Sequence, residues 1–169
     1  MEFDEIGIMS EKYPELQIRK ISAPDARTKK EQFLQNGFLN DLYISEQNEC
    51  ICSGVFMNAF CNYSLLVGQQ TNLYKCVISN GFDYLSETGT MGLLHPETVY
   101  DDPNGQPLRK EIYKRLKFHF QYQNALNLFA EVAHRERYGT SIYGTKKDII
   151  DFFSINNLFH PNTIDSCFA

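Results

Sequence analysis

Three groups of side chains in this sequence have the types and spacing to do chemistry. His95, Pro96 and Glu97 follow the short apolar run Met91–Leu94, which is bounded by turn signals as a buried strand would be. Ligands in open α/β sheets bind beyond the carboxyl ends of strands. The polar loop that follows is therefore expected to border a cleft. His95 is a weak candidate for a general base. Asp101 and Asp102 read as turn and helix-cap residues rather than metal ligands, because Asp102-Pro103-Asn104-Gly105 is a strong turn signal. No metal site is expected. The second group is the basic row Arg109, Lys110, Lys114 and Arg115, which either contacts the phosphates of a nucleic acid, positioning it without reading its sequence, or faces water. The third is His134, Arg135, Glu136 and Arg137, a polar cluster beside a predicted strand pair.

These groups need elements to hold them. Ser22 is a candidate helix cap with Pro24 in the first turn, and Phe33, Leu34, Phe38, Leu39 and Leu42 follow at helical spacing. Gly37 interrupts them and leaves one helix or two open. Residues 55–66 read as a short helix. Thr71–Leu85 reads as a stronger one, with Leu73, Val77 and Tyr74, Ile78 in adjacent rows. Pro107 suits the first turn of a helix whose apolar face is Leu108, Ile112, Tyr113 and Leu116. Phe118, Phe120 and Tyr122 then alternate with His119, Gln121 and Gln123, which predicts a strand, and Tyr138–Tyr143 predicts a second. The order helix, strand, helix, strand, strand fits the second half of an α/β domain ending in an antiparallel pair.

The totals bound the answer. A chain of 169 residues with 43% apolar residues can bury a core as one domain. A net charge of −5 argues against a surface that binds nucleic acid all over, though not against a local basic patch. No apolar run is long enough to span a bilayer, and no leader opens the chain, so no membrane association and a cytoplasmic location are expected. The five cysteines, Cys50, Cys52, Cys61, Cys76 and Cys167, are irregularly spaced and read as buried, reduced thiols. A short echo, LLHPETVYD from Leu93 and LFHPNTIDS from Leu158, carries no repeat architecture.

Several blocks taken together are more specific. QTNLYKC from Gln70, GLLHPETVYDDPNGQPLRKEIYKRL from Gly92, HFQYQNALNLFAEVAHRERYG from His119, the closing NLFHPNTIDSCF and the opening EFDEIGIMSEKYPE resemble, in order, adenine-N6 DNA methyltransferases of the large restriction-modification type. The resemblance covers nearly the whole chain. It implies an α/β fold: part of a class I S-adenosylmethionine-dependent, Rossmann-like sheet with a C-terminal antiparallel hairpin and an N-terminal helical segment. The family's glycine-rich turn and its Asn/Asp-Pro-Pro-aromatic tetrapeptide have no counterpart here, since the sequence holds no G-x-G and no Pro-Pro pair. The chain is thus expected to be a fragment beginning just downstream of the tetrapeptide.

The resemblance also implies roles. Phe129, with Tyr138 as second choice, would face an extruded adenine; the ordinary reading of Phe129 is a core residue. Leu73, Tyr74 and Val77 match the helix lining the cofactor's adenine pocket, although an amphipathic helix fits the same spacing. Three segments are expected: 1–66 as a mainly helical insertion, 67–145 as the later half of the catalytic domain, and 146–169 as a linker toward a DNA-recognition region. S-adenosylmethionine is the implied cofactor and DNA the implied partner. A separate upstream polypeptide is a further candidate partner. The strand at Met91–Leu94 would lack a neighbour on one side, so self-association is expected. A noncatalytic DNA- or protein-binding module is the alternative reading.

Overall fold

A computed structural model describes residues 3–19 and 21–168. The chain forms two compact units, Met1–Phe56 and Met57–Ala169. In the contacts, the boundary falls ten residues before the expected one at 66/67.

The described part of the first unit is helical. Helix α1 (Glu5–Ser10) is capped by Asp4, whose Oδ1 accepts from the Gly7 amide at 2.8 Å. A short α2 (Glu15–Ile18) precedes α3 (Ala23–Leu34). Ser22 caps α3 as expected, with its Oγ accepting from the Asp25 amide and Pro24 in the first turn. The chain breaks after Leu34 and restarts as α4 (Gly37–Asn58), with Asn36 Oδ1 accepting from the Leu39 amide. The segment is therefore two helices, and Gly37 opens the second. The core of this unit is Met9, Phe33 and Tyr43, and Glu5 accepts from both Lys30 and Tyr43.

In place of the short helix expected over 55–66, α4 continues to Asn58 and turns follow to Asn72. Asn58 Oδ1 accepts from the Gly68 amide at 3.0 Å, which ties this turn region together. Asn72 then caps α5 (Leu73–Tyr84). Strand β1 (Met91–Pro96) follows, then the single turn α6 (Thr98–Asp101), α7 (Gln106–Arg115) and strand β2 (Leu116–Gln123). Strand β3 (Arg137–Tyr143) completes the hairpin with β2.

The sheet has the order β1-β3-β2-β4, so the chain folds as α/β. β3 runs antiparallel to both β1 and β2. Residues 146–169, expected as a linker, instead supply β4 (Phe153–Leu158), which lies parallel to β2, and α8 (Asn162–Phe168). The polar alternation of FSINNL gave little strand signal, and β4 forms because β2 offers it an edge.

Alternation and register divide the sheet into two faces. Met91, Leu93 and His95 share one face with Tyr143, Ser141, Gly139, His119 and Gln121. Helices α5, α6 and α7 cover that face through Ile78, Phe82, Val99, Leu108 and Ile112. Phe120, Tyr122 and Leu158 lie on the other face, packed with Ile164 of α8. Of the five free cysteines only Cys76 is buried; Cys52, Cys61 and Cys167 are exposed, against the expectation of buried thiols. Among the described residues no helix is long and apolar enough to cross a membrane.

Candidate functional site

The carboxyl end of β1 is the centre of the polar chemistry in the second unit. The loop after β2 comes to it because of one residue, Asn124, which opens a 3-10 turn (Asn124–Leu126) and is wholly buried. Its side-chain amide donates to the carbonyls of Phe129 (2.9 Å) and Val132 (2.7 Å), and its Oδ1 accepts from the Phe129 amide at 3.1 Å. The Asn124 backbone amide donates to the Glu136 carbonyl at 3.1 Å. Asn127 closes the turn at φ 50°, a left-handed conformation that Asn tolerates better than most residues.

That anchoring brings Phe129 to Tyr138. Their rings meet edge to face with centroids 4.9 Å apart, and Tyr122 stacks on Tyr138 at 5.4 Å. Phe129, Val132, Tyr138, Leu94 and Pro96 line a cleft of about 360 Å³, with Glu136 and Arg137 also on its wall. A cleft of this size, walled by aromatic and aliphatic groups with a few polar ones, suits a flat, partly polar ring. The two aromatics singled out from the sequence therefore share one cavity. Phe129 is a surface residue here, 38% exposed, rather than core.

A second cavity of about 430 Å³ is lined by Asn72, Tyr74, Lys75, Thr98, Asp101 and Asp102. Tyr74 donates to or accepts from Thr98 Oγ1 at 2.9 Å and stacks on His95 with centroids 6.0 Å apart. Of the three residues placed on the cofactor helix, Tyr74 lines this cavity. Leu73 and Val77 point outward, 65% and 50% exposed. Asp102 receives the Lys75 ammonium and its Oδ1 accepts from the Asn104 amide at 2.9 Å, the turn role expected of it.

Between the cavities lies a buried polar network. His95 Nδ1 is 2.9 Å from the Pro96 carbonyl and its Nε2 is 2.9 Å from the Tyr143 hydroxyl. This pattern suits a neutral ring that donates from Nδ1 and accepts at Nε2. Burial holds the His95 pKa below its usual value and pushes Tyr143 up to about 12. Glu97 Oε2 accepts from Gln121 at 3.0 Å and lies 3.3 Å from His119 Nε2, while His119 Nδ1 meets Ser141 Oγ at 3.1 Å. Burial alone would raise Glu97, but the hydrogen bonds from His119 and Gln121 outweigh it and keep the carboxyl below its ordinary range. A Cβ on Gly139 would run into Glu97 Oε1, so any larger residue there would push the Glu97 carboxyl or the His119 ring out of this arrangement.

No family model, curated protein or solved structure matches the chain. The site rests on its own geometry.

The basic row on α7 is divided by that geometry. Arg109 donates to the Asp102 carbonyl, and Arg115 pairs with Glu111 at 2.8 Å while lying over the Phe82 ring. Lys110 is exposed and Lys114 half-buried. His134, Arg135, Glu136 and Arg137 are exposed beside the aromatic cleft. Sequence reasoning missed Asn124, Glu97's partners His119 and Gln121, the Ser141 hydroxyl that holds His119, and the close approach at Gly139.

The network predicts a pH dependence. The unfolded chain protonates His95 near pH 6.5 while the folded protein resists, so stability falls as pH drops below 6.5. Glu97 has a depressed folded pKa, so its contribution is present above its ordinary value of 4.5 and disappears as pH falls through the lower folded value. Both effects act in the same direction. Thermal midpoints followed from pH 8 to 4 should be flat first, decline below about 6.5 and steepen below about 4.5. His95→Gln should remove the upper decline; an unchanged profile in that variant would show that His95 is not its source.

Proposed function

We propose that this chain is the later part of the catalytic domain of a DNA adenine-N6 methyltransferase, inactive on its own. The observation that carries the reading is the meeting of Phe129 and Tyr138 in a cleft beside the carboxyl end of β1. The order α5, β1, α7, β2, β3, a helix, strand, helix and hairpin, also supports it. Phe129 stacks on the extruded adenine and Tyr138 forms the adjoining wall. Stacking places the ring without reading it, and the loop fastened by Asn124 keeps Phe129 in position.

S-adenosylmethionine supplies an electrophilic methyl group when bound. The residues present fit one wall of its site: Tyr74 offers a ring and Asn72 a polar group in the second cavity, with Leu73 and Val77 on the outer row of the same helix. They do not form an enclosing cradle, which accords with inactivity of the isolated chain. Lys110 and Lys114 supply phosphate contacts, with Arg109 and Arg115 fixing the helix that presents them. With DNA as its partner, the protein works in the same compartment as that DNA, read here as the cytoplasm.

The test is reconstitution. The DNA upstream of the Met1 codon should encode, in frame or one shift away, a glycine-rich turn and an Asn-Pro-Pro-aromatic tetrapeptide. That polypeptide, produced together with this chain, should move labelled methyl to adenine in DNA, whereas this chain alone should not. Phe129→Ala should lower kcat/KM about 5- to 150-fold, the range expected for loss of one base-stacking ring. Transfer by the pure chain, or none by the pair, would sink the reading. The exposed Leu73–Val77 row also favours a second reading, a noncatalytic module that binds a protein or DNA. Salt-dependent DNA binding without the donor or an upstream partner would favour its DNA-binding form.

A further inference from the structure

Phe129 and Tyr138 share a cleft, but they cannot serve one flat ligand in the same way. Their ring planes stand at 88°. A ring stacked on Phe129 therefore lies nearly perpendicular to Tyr138 and cannot stack on it as well. One face of Tyr138 is also taken, because Tyr122 stacks there with the planes 9° apart. Tyr138 must offer a ligand something other than a second stacking surface.

What it has to offer is a hydroxyl. Tyr74, Tyr100 and Tyr143 spend theirs on Thr98, Ser141 and His95. The Tyr138 hydroxyl has no hydrogen-bond partner among the described residues, although the residue is half-buried. A buried phenol usually finds a partner. Its position is fixed: Tyr138 is paired to Pro96 of β1 and to Tyr122 of β2, and two neighbouring rings hold its own. Burial pushes its pKa up, so it stays protonated at neutral pH and can donate. Among the cleft's other side chains, Leu94, Val132 and Phe129 have no polar atom, His95 has both ring nitrogens spent, Glu136 only accepts, and Arg137 is exposed.

We propose that the Tyr138 hydroxyl donates a hydrogen bond to one ring nitrogen of the adenine stacked on Phe129, and so fixes how that ring is turned in the cleft. The inference rests on the reading of the cleft as a base site. Stacking sets the plane of a ring but lets it slide and rotate within that plane. The acceptor lone pairs of N1, N3 and N7 lie in the plane and point outward in different directions. A hydroxyl held at one place meets one of them, and the amino group then faces one fixed direction. Methyl transfer needs such an orientation, since the reacting atoms must lie about 3–3.5 Å apart with orbitals aligned.

Adenosine titrated into the full chain at millimolar concentration should shift the NMR signals of Phe129 and Tyr138. Tyr138→Phe keeps the ring and removes only the hydroxyl, so adenosine should bind about 2- to 12-fold more weakly, the worth of one hydrogen bond. In the unaltered protein, one of the deazaadenosines lacking N1, N3 or N7 should show the same loss. That analogue alone should bind Tyr138→Phe as well as it binds the unaltered protein. The deazaadenosine comparison needs no variant, so it stands even if Tyr138→Phe folds poorly. Equal binding of adenosine by both proteins overturns the proposal and leaves the stacking reading in place. So do deazaadenosines that all bind like adenosine, or that all lose affinity alike. No response at Phe129 to any nucleoside overturns the stacking reading and the proposal together.

Discussion

Lys75→Met should destabilise the second unit by about 3–5 kcal/mol, the cost of breaking a buried ion pair from one side. Lys75 is 4% exposed although it lies in a helix that carries apolar rows. Its ammonium meets the Asp102 carboxylate and the Gln70 carbonyl, the latter at 3.2 Å. Burial would raise the Asp102 pKa, but Lys75 and the Asn104 amide more than offset it, so the carboxylate stays charged. Removing the ammonium leaves that charge in a side chain only 10% exposed. The loop from β1 to α7 is held at Asp102 twice, by Lys75 on the carboxylate and by Arg109, which donates to the Asp102 backbone carbonyl. Urea unfolding measures the loss directly. Adding Asp102→Asn to Lys75→Met should recover part of it, since the stranded charge disappears. A loss under about 1 kcal/mol would mean that water reaches the pair as it does an exposed one.

Asn124→Ala is expected to cost roughly 2–3 kcal/mol, because three side-chain hydrogen bonds are lost from a buried position. Its larger effect is on the cleft. Without Asn124 the 125–136 loop loses the contacts that hold the Phe129 backbone, and the edge-to-face contact with Tyr138 loses its fixed geometry. Hydrogen exchange at the Phe129 amide should accelerate by more than the global stability loss accounts for. Asn124→Asp should do no better, since it keeps one acceptor but turns an oxygen toward two carbonyls. In the reconstitution proposed above, the Asn124→Ala loss in methyl transfer should approach that of Phe129→Ala. Unchanged exchange at Phe129 would show that the loop is held by other means.

Much of the second unit could be read from the chain. The alternation of Phe118, Phe120 and Tyr122 marked β2, Pro107 marked the first turn of α7, and turn signals bounded β1. The same alternation carried no information about water. His119 lies at a polar position of β2, yet helices cover that face too, so it is buried against Ser141 and Glu97. Periodicity reports which side chains share a face, not what covers the face. Asn124 left no signal because Asn is common in every turn, and its role depends on carbonyls five and eight residues later. β4 was missed for a related reason: its residues are mostly polar and its pairing is supplied by a distant strand. Phe129 and Tyr138 were singled out through the family resemblance alone; nothing in their spacing predicted that the rings would touch.

The position of β3 carries a consequence for how the chain acquires its shape. β3 comes after β1 and β2 in the chain but lies between them, antiparallel to both. During synthesis, neither earlier strand can find its lasting neighbour until the chain has been made through Tyr143. Met91 must wait for a partner that emerges after the whole β2 hairpin loop, and closing so long a stretch is entropically slow. The nascent chain therefore passes through an interval with two unpaired apolar strands. In that interval, delay at the ribosome or a break before Arg137 turns a folding intermediate into a substrate for chaperones and proteases.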